Sequence, residues 1–394
     1  MASRVHMNER LRHKTVYGFF RFLLKGVMSR ILGYTYEVAD VGCYPYLVVA
    51  NHNTDFDPIL IGFAFPKHMY YVASEHIFRK GFASWLLRRY LAPISRMKGS
   101  TDASTAINVL RTIKKGFSVC LFAEGDRSFS GVTGPVVQAT GKLARASGVP
   151  LVTFKFTGGY LTTPRWGQTR RKGRMRGQVV NTYSAAELRA MQPEEINARI
   201  RADLYEDAFE RQEKERTAFT GKRLAERLEY ALFACPKCGR IGELHSEDDR
   251  FFCGCGLSVR FTQYGFFEGD GGQTPPFTTV RDWDRWQIGL LGERLAALGD
   301  APAFSDENQP LYLVGQDHAV TAVATGTLQM TARTLSVGDT SFAVAAIDHM
   351  AMYASTNLIF STDGRHYEVR STPTCCRRKY FLLYQLIKKR QGPE

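Results

Sequence analysis

The chain has 394 residues, with 52 basic and 38 acidic side chains and a formal net charge of +14. This length exceeds one ordinary domain and allows a catalytic core with additions, while the positive charge favours an anionic partner such as phospholipid, nucleic acid or a phosphorylated substrate. Because no run of eighteen or more residues is both apolar and uncharged, the sequence predicts neither a membrane-spanning helix nor a cleavable secretory signal.

The first predicted element is an amphipathic helix at residues 16–34, in a segment that we place at 1–35. Its polar stripe consists of Lys14, Gly18, Arg21, Lys25 and Ser29. Its apolar face consists of Phe19, Phe20, Leu23, Leu24 and Met28. A basic face opposite large apolar side chains is typical of a helix that lies in the headgroup plane of an acidic membrane. The alternative is a surface helix that packs on the protein's own core.

The next elements alternate between strands and helices. Buried strands are predicted at residues 46–50, 117–122 and 149–156. Helices are predicted from about Pro58, at 103–115 and at 136–147. This alternation predicts an α/β domain with a mixed or parallel sheet flanked by helices. A charged helical region at 185–232, in which Pro193 begins a helix, is predicted to close this domain, which we place at 36–232.

A first polar motif follows the strand at 46–50 and reads Asn51-His52-Asn53-Thr54-Asp55-Phe56-Asp57-Pro58. His52 and Asp57, five positions apart, can face one another across a turn. A carboxylate bonded to one imidazole nitrogen fixes the tautomer, so that the other nitrogen can take a proton from an alcohol. The alternative is a polar turn with a helix cap.

A second polar motif follows the strand at 117–122 and reads Leu121-Phe122-Ala123-Glu124-Gly125-Asp126-Arg127-Ser128. Gly125 permits a tight turn near a substrate, and Arg127 offers a planar fork of donors that matches a phosphate. Glu124 either binds substrate or anchors the loop. The alternative is a charged turn with an internal Glu–Arg pair.

Together the two motifs resemble the glycerolipid acyltransferase family that includes the 1-acylglycerol-3-phosphate acyltransferases. The family's Asn-His-x-x-x-x-Asp mark falls on Asn51, His52 and Asp57. Its Phe-Pro-Glu-Gly-Thr-Arg-Ser mark falls on Phe122, Glu124, Gly125, Arg127 and Ser128, with Ala123 and Asp126 replacing the usual Pro and Thr. Residues 91–96, which end in Arg96, and residues 149–152 resemble two further family segments. The resemblance extends over roughly residues 15 to 215.

This resemblance implies an O-acyltransferase of phospholipid biosynthesis, with His52 as general base and Asp57 as its partner. It implies that Arg96 and Arg127 hold the acceptor phosphate, with Asn51, Glu124, Gly125 and Ser128 also expected at the substrate site. The expected donor is acyl-CoA or acyl carrier protein, and the expected acceptor is a lysophospholipid, lysophosphatidic acid being our first choice. No catalytic cofactor is expected. We expect a peripheral protein at the acidic cytoplasmic face of the cell membrane.

The segment from Arg165 to Arg176 contains six basic residues, including both of its ends. They are predicted to meet the donor's phosphates or the membrane, and the alternative is a solvated basic loop.

Four cysteines have the spacing of metal ligands, in Cys235-Pro-Lys-Cys238-Gly239 and Cys253-Gly-Cys255-Gly256. Two short cysteine turns on neighbouring hairpins bring four thiolates together, so the pattern resembles a zinc ribbon and predicts a structural zinc. We place this ribbon at residues 233–262. Such cysteine usage fits a reducing cytosol.

Residues 263–394 are predicted to form a linker and a small β-rich domain. Strand-like alternation occurs at 326–331 and 366–370, and an apolar helix is predicted at 377–389. Strands capped by one helix resemble pleckstrin-homology-like lipid modules, and a purely structural domain is the alternative.

A rival hypothesis is a basic zinc-ribbon protein that binds nucleic acid. Aromatic residues are not interleaved with the basic residues of the ribbon, as a single-strand stacking surface requires. We therefore expect no nucleic-acid partner.

Overall fold

The computed structural model describes residues 2–74, 89, 92–96, 103–315, 319–370 and 376–392. They form two compact units: the first is drawn from residues 1–221, and the second holds residues 222–394 together with the loop 165–169. Leu91, the first residue of the segment that ends in Arg96, lies outside the described residues.

The first unit is an α/β domain that begins with the long helix α1 (Ala2–Leu32). Its strands are β1 (Tyr34–Tyr36), β2 (Leu47–Ala50), β3 (Met69–Ser74), β4 (Ile94–Arg96), β5 (Ser118–Phe122), β6 (Leu151–Thr157) and β7 (Met175–Tyr183). Its other described helices are α2 (Asp57–Ala64), α3 (Ala103–Lys114), α4 (Ala139–Ser147), α5 (Gly159–Thr162), α6 (Ala185–Ala190), α7 (Pro193–Leu204) and α8 (Ala208–Glu215).

These strands form one sheet in the order β1-β7-β6-β2-β5-β3-β4. All neighbouring strands are parallel except β6 and β7, so the predicted mixed sheet flanked by helices is confirmed. A buried apolar cluster lies on each face of the sheet. Because β2, β5 and β6 are parallel, the segments that follow them leave the sheet at the same edge.

The predicted helical region at 185–232 is shorter than expected. The last of its three helices, α8, ends at Glu215. The next residue, Arg216, has a left-handed conformation with φ of 47°. The Gln212 side chain bonds both the N–H and the carbonyl of Thr217, which satisfies backbone groups that another helical turn would have used. Beyond this point the chain forms a backbone bridge between Thr220 and Lys172.

Helix α1 buries one side and exposes another. Tyr17, Met28 and Leu32 are buried, and the Tyr17 hydroxyl donates to the carbonyls of Gly62 and Phe65. The residues of the predicted apolar face therefore do not share one environment, because Met28 packs against the core whereas Phe19 and Leu23 are exposed. The large exposed apolar side chains of the helix are Phe19, Phe20, Phe22, Leu23 and Val27.

Within the described residues, no helix has the length and apolar character that crossing a membrane requires.

The second unit contains two antiparallel sheets and two α-helices among the described residues. The first sheet consists of β8 (Leu244–Glu247), β9 (Arg250–Cys253), β10 (Ser258–Phe261) and β11 (Phe267–Gly269). The second consists of β12 (Phe304–Val314), β13 (Val320–Met330), β14 (Thr334–Val337), β15 (Thr340–Ala343), β16 (Ile347–Tyr353), β17 (Asn357–Thr362) and β18 (Arg365–Val369). Helices α9 (Val280–Ala297) and α10 (Arg378–Gln391) complete the unit.

The second sheet has the order β15-β14-β13-β12-β18-β17-β16, with β15 and β16 at its two ends. Helix α10 packs beside β16, and its Tyr384 hydroxyl donates to the carbonyls of Ile347 and Asp348. The predicted mostly-β region followed by a helix is confirmed.

Candidate active site

Both polar motifs lie at the edge of the sheet where β2 and β5 end. The first motif connects β2 to α2, and the second follows β5 directly. Because β2 and β5 pair in parallel, with Ala50 opposite Phe122, His52 and Glu124 leave the sheet side by side. The structure therefore brings together the two motifs that the sequence separates by about seventy residues.

Asp57 is fully buried at the start of α2 and organises the first motif. Its Oδ2 accepts hydrogen bonds from His52 Nδ1 at 2.9 Å, from Asn53 N at 2.6 Å and from Thr54 N at 2.9 Å. Its Oδ1 accepts the Thr54 hydroxyl at 2.6 Å. These contacts hold the carboxylate in one orientation and assign the proton of the neutral imidazole to Nδ1.

The His52 ring is held on a second side by Phe122. The two rings stack with their centroids 4.3 Å apart and an interplanar angle of 21°. The His52 side chain keeps 20% of its surface exposed, whereas its partner Asp57 keeps none. With Nδ1 engaged by Asp57, Nε2 is the nitrogen left to take a proton from a bound alcohol.

Asn51 and Ser128, both predicted at the substrate site, make contacts that shape the loops. The Asn51 amide donates to Phe156 O at 2.8 Å and accepts from Phe156 N at 2.7 Å, which ties the first motif to β6. The Ser128 hydroxyl accepts from Gly131 N at 3.0 Å and closes a turn. Both side chains thus have hydrogen-bond partners within the protein.

Arg127 also contacts protein oxygens. Its Nη2 donates to Thr163 O at 2.7 Å and its Nε donates to Asn53 O at 3.3 Å. Its Nη1 pairs with the exposed carboxylate of Asp55 at 2.7 Å. This fork holds the first motif against the segment after α5, so the structure gives Arg127 a positioning role beside the predicted phosphate contact.

Arg96 and Gly125, both predicted at the substrate site, lie against one another. Gly125 has φ of 69°, a left-handed conformation that favours glycine. A Cβ built on Gly125 would lie 2.6 Å from Arg96 Nη1. Because Gly125 has no side chain, the Arg96 guanidinium has room to lie against the second motif.

We predict that Gly125→Ala raises the Michaelis constant for an anionic acceptor, because the added methyl group displaces the Arg96 guanidinium. The backbone strain of alanine at positive φ adds about 1 kcal/mol of destabilisation. Steady-state kinetics with varied acceptor and saturating donor test this. Gly148→Ala, a matched control at φ of 68° with open space around it, should carry the strain without the kinetic effect. An equal acceptor Michaelis constant in wild type and Gly125→Ala would show that Arg96 does not contact the acceptor.

The structure adds two residues that sequence reasoning missed. Thr54 bonds Asp57 through both its backbone and its hydroxyl, and Gly134 donates its N–H to Glu124 Oε2 at 2.6 Å. The sequence signal for Thr54 was its hydroxyl, three positions before Asp57, the carboxylate at the start of α2. Gly134 had no sequence signal, because its role depends on a loop that folds back over the sheet edge.

The basic stretch from Arg165 to Arg176 is not one solvated loop. Arg165 and Arg171 are buried, and the Arg165 guanidinium donates to the carbonyls of Met352 and Ala354 within the second unit. The exposed basic members are Arg170, Lys172, Arg174 and Arg176.

The four predicted metal-binding cysteines form one cluster in which all sulfur atoms lie within 4.8 Å of one another. Cys235 Sγ lies 3.6 Å from Cys255 Sγ, and Cys238 Sγ lies 3.9 Å from Cys253 Sγ. A tetrahedral ion with sulfur ligands at about 2.3 Å requires sulfur–sulfur separations of about 3.8 Å. The cluster therefore has the geometry to hold a metal ion.

Arg240 supports this cluster by donating from Nε to Cys238 Sγ at 3.5 Å. This hydrogen bond lowers the pKa of Cys238 to about 6. Cys238 therefore favours the thiolate, the form in which cysteine binds metals, near neutral pH, whereas burial raises the pKa of Cys235 and of Cys253.

Comparisons with known proteins match the part of the chain that carries both polar motifs. Residues 39–157 match the family model described as acyltransferase. The 1-acyl-sn-glycerol-3-phosphate acyltransferase of Streptococcus pneumoniae is 31% identical over 116 residues, which are 29% of this chain and 42% of that protein. This chain thus spans less than half of that relative's length.

Among solved structures, the 1-acyl-sn-glycerophosphate acyltransferase PlsC from Thermotoga maritima aligns with a TM-score of 0.39 and 20% identity. The alignment covers 49% of this chain and 80% of that chain. The family match includes the loops that hold His52, Asp57 and the Glu124 motif. Residues 39–157 of this chain are therefore similar to the acyltransferases.

Proposed function

We propose that this protein is an O-acyltransferase that moves a fatty-acyl chain from the thioester of acyl-CoA or acyl carrier protein to the hydroxyl of a lysophosphatidic-acid-type acceptor. The observation that carries the proposal is the His52–Asp57 pair. Its carboxylate is buried and bonded by four donors, and its imidazole remains partly exposed at the sheet edge.

In this reaction His52 Nε2 takes the proton of the acceptor hydroxyl as the oxygen attacks the thioester carbonyl. Asp57 stabilises the imidazolium that forms. The tetrahedral intermediate then breaks its carbon–sulfur bond, and the departing thiolate takes the proton back from His52. No acyl-enzyme is needed, and no catalytic cofactor enters the scheme.

The direct test is to incubate purified protein with labelled acyl-CoA or acyl carrier protein and a panel of acceptors, and to identify products by mass spectrometry. The panel contains lysophosphatidic acid, glycerol 3-phosphate, other lysophospholipids and an aminolipid. We expect the highest turnover with lysophosphatidic acid. Failure to acylate any acceptor, with salt-sensitive nucleic-acid binding in a gel shift, would instead favour the rival hypothesis.

The protein is further proposed to act at an acidic membrane surface on the cytoplasmic face. Five large apolar side chains are exposed on α1 between Phe19 and Val27, a concentration that suits insertion among lipid headgroups. Gly33, just after α1, accepts a hydrogen bond from Met175. Arg174 and Arg176, the exposed basic neighbours of Met175, therefore lie near the end of α1. Acidic headgroups would attract them there.

We predict that Phe22→Glu weakens liposome binding about tenfold or more. The Phe22 side chain is 85% exposed, so the substitution should spare the fold, while burying one such ring in an interface contributes about 2 kcal/mol. Flotation with vesicles containing phosphatidylglycerol measures the effect.

Val323→Glu is the matched control, because Val323 is an exposed apolar residue of the second unit. It should float like wild type. Equal flotation of Phe22→Glu and wild type would show that α1 does not bind the bilayer.

The cysteine cluster is proposed to hold one structural zinc. Cys235, Cys238, Cys253 and Cys255 would supply four thiolates, which close the coordination shell and leave no position for a catalytic water. When bound, the metal would cross-link the two cysteine turns.

A further inference from the structure

We propose that Glu124 is a positioning residue that fixes the backbone of His52, and that it is not a ligand of the acceptor. The proposal rests on the proposed acyltransferase function, because His52 is taken as the general base. It concerns how the base is held in place, which the family match by itself does not specify.

Glu124 lies two residues beyond β5, with its two carboxylate oxygens engaged by two different loops. Oε1 accepts the backbone N–H of His52 at 2.7 Å, and Oε2 accepts the backbone N–H of Gly134 at 2.6 Å. Both distances lie at the short end of the range for N–H···O hydrogen bonds. The carboxylate therefore links the loop after β2 to the loop that precedes α4.

Gly134 allows this arrangement because it has no side chain. A Cβ at this position would lie 3.2 Å from Glu124 Oε2, which is tighter than an ordinary contact. The loop around Gly134 is itself anchored, since Thr133 N donates to Glu206 O at 2.9 Å and Val137 N donates to Ala123 O at 2.9 Å. Glu124 thus connects His52 to a fixed part of the domain.

His52 is then held from two directions. Asp57 and Phe122 fix the ring, and Glu124 fixes the backbone from which the ring projects. Burial of the Glu124 carboxyl raises its pKa to about 8, an energetic cost that the two backbone donors partly offset. Because both Glu124 oxygens accept backbone N–H groups, neither is left to bind the acceptor, and the side chain is suited to orientation rather than to recognition.

The test compares Glu124→Gln with wild type in kcat, in acceptor KM and in the imidazole ¹⁵N spectrum of His52. The amide oxygen of glutamine can accept one N–H, but its NH₂ group faces the other donor, so one of the two links is lost. We expect kcat to fall about 10- to 100-fold, since misplacement of a catalytic group by about 1 Å has effects of this size. Acceptor KM should change less than about twofold, because substrate contacts remain.

The ¹⁵N spectrum provides a readout that does not depend on turnover. In wild type we expect His52 to show the Nδ1–H tautomer, and in Glu124→Gln we expect a mixture of tautomers or line broadening. If wild type acylates no acceptor, the proposed function fails, yet the spectrum still decides whether Glu124 positions His52.

Two further variants complete the test. Glu187→Gln is the matched control, because Glu187 likewise accepts a backbone N–H, that of Ser184, but at the exposed start of α6. It should leave kcat and the His52 spectrum unchanged. Gly134→Ala keeps the Glu124 side chain but displaces its carboxyl group, so it should also lower kcat, even if Glu124→Gln does not fold.

Two results would overturn the proposal. One is a large rise in acceptor KM at unchanged kcat in Glu124→Gln, which would make Glu124 a substrate ligand. The other is an unaltered His52 spectrum with wild-type kcat in both Glu124→Gln and Gly134→Ala.

Discussion

His52→Ala is expected to lower the rate of acyl transfer by about 10²- to 10⁴-fold, the usual contribution of a positioned general base. The side chain is 20% exposed and makes its main polar contact with Asp57, so its removal should leave the fold intact. Initial rates at saturating donor and acceptor measure the effect, with melting temperature and liposome flotation as controls. Turnover near the wild-type value would refute the proposed mechanism.

The companion variant Asp57→Asn is expected to affect both catalysis and stability. An amide cannot stabilise an imidazolium as a carboxylate does, so the rate should again fall. Asp57 also accepts the N–H groups of Asn53 and Thr54, and an amide in its place retains only one acceptor oxygen. We therefore expect a lower melting temperature for Asp57→Asn than for His52→Ala, although both lose activity.

Removal of the metal is expected to lower the melting temperature of the second unit substantially. Zinc binding by comparable cysteine ribbons is worth on the order of 10 kcal/mol. The ribbon here also shares an aromatic core with α9, in which Phe251 and Phe267 contact Trp283 at ring-centroid distances of 5.4 and 5.3 Å. Chelation should therefore loosen the two cysteine turns while much of the strand structure remains.

Elemental analysis and thermal melts with and without chelator test this prediction. We expect one zinc per chain in wild type and none in Cys253→Ser. Cys43→Ser is the matched control, since Cys43 lies outside the cluster, and it should retain the metal. Zinc content near zero in wild-type protein prepared under reducing conditions without chelator would refute the assignment. Acyl transfer should survive metal loss, because the motif loops lie in the first unit.

The sequence predicted those features that depend on neighbours along the chain. Strands β2, β5 and β6 begin within two residues of the predicted starts, because short apolar runs between polar loops have few alternatives in an α/β domain. The helix start at Pro193 was likewise correct, since proline suits the first helical turn. The cysteine cluster followed from spacing alone, because two short turns permit few ways to bring thiols together.

Only the tertiary structure showed the hydrogen-bond partners of individual polar side chains. Asn51, Arg127 and Ser128 are motif residues that the sequence assigns to the substrate, yet each contacts backbone atoms of the protein. Sequence patterns identify which residue types occur together, but a hydrogen-bond partner more than a hundred positions away, such as Phe156 for Asn51, depends on sheet order.

Helix α1 also shows which features the sequence predicted and which features depended on packing. Its periodicity predicted an amphipathic helix, and the helix is present. Periodicity could not show that Met28 packs inward while Phe22 and Leu23 remain exposed, because a helix with apolar residues on more than one side can dock in several rotations. Contacts of Tyr17 with the carbonyls of Gly62 and Phe65 select one of them. The sequence thus determined the elements and the order of the polar motifs, whereas packing between distant segments determined which side chains lie at the sheet edge, in the core or in the solvent.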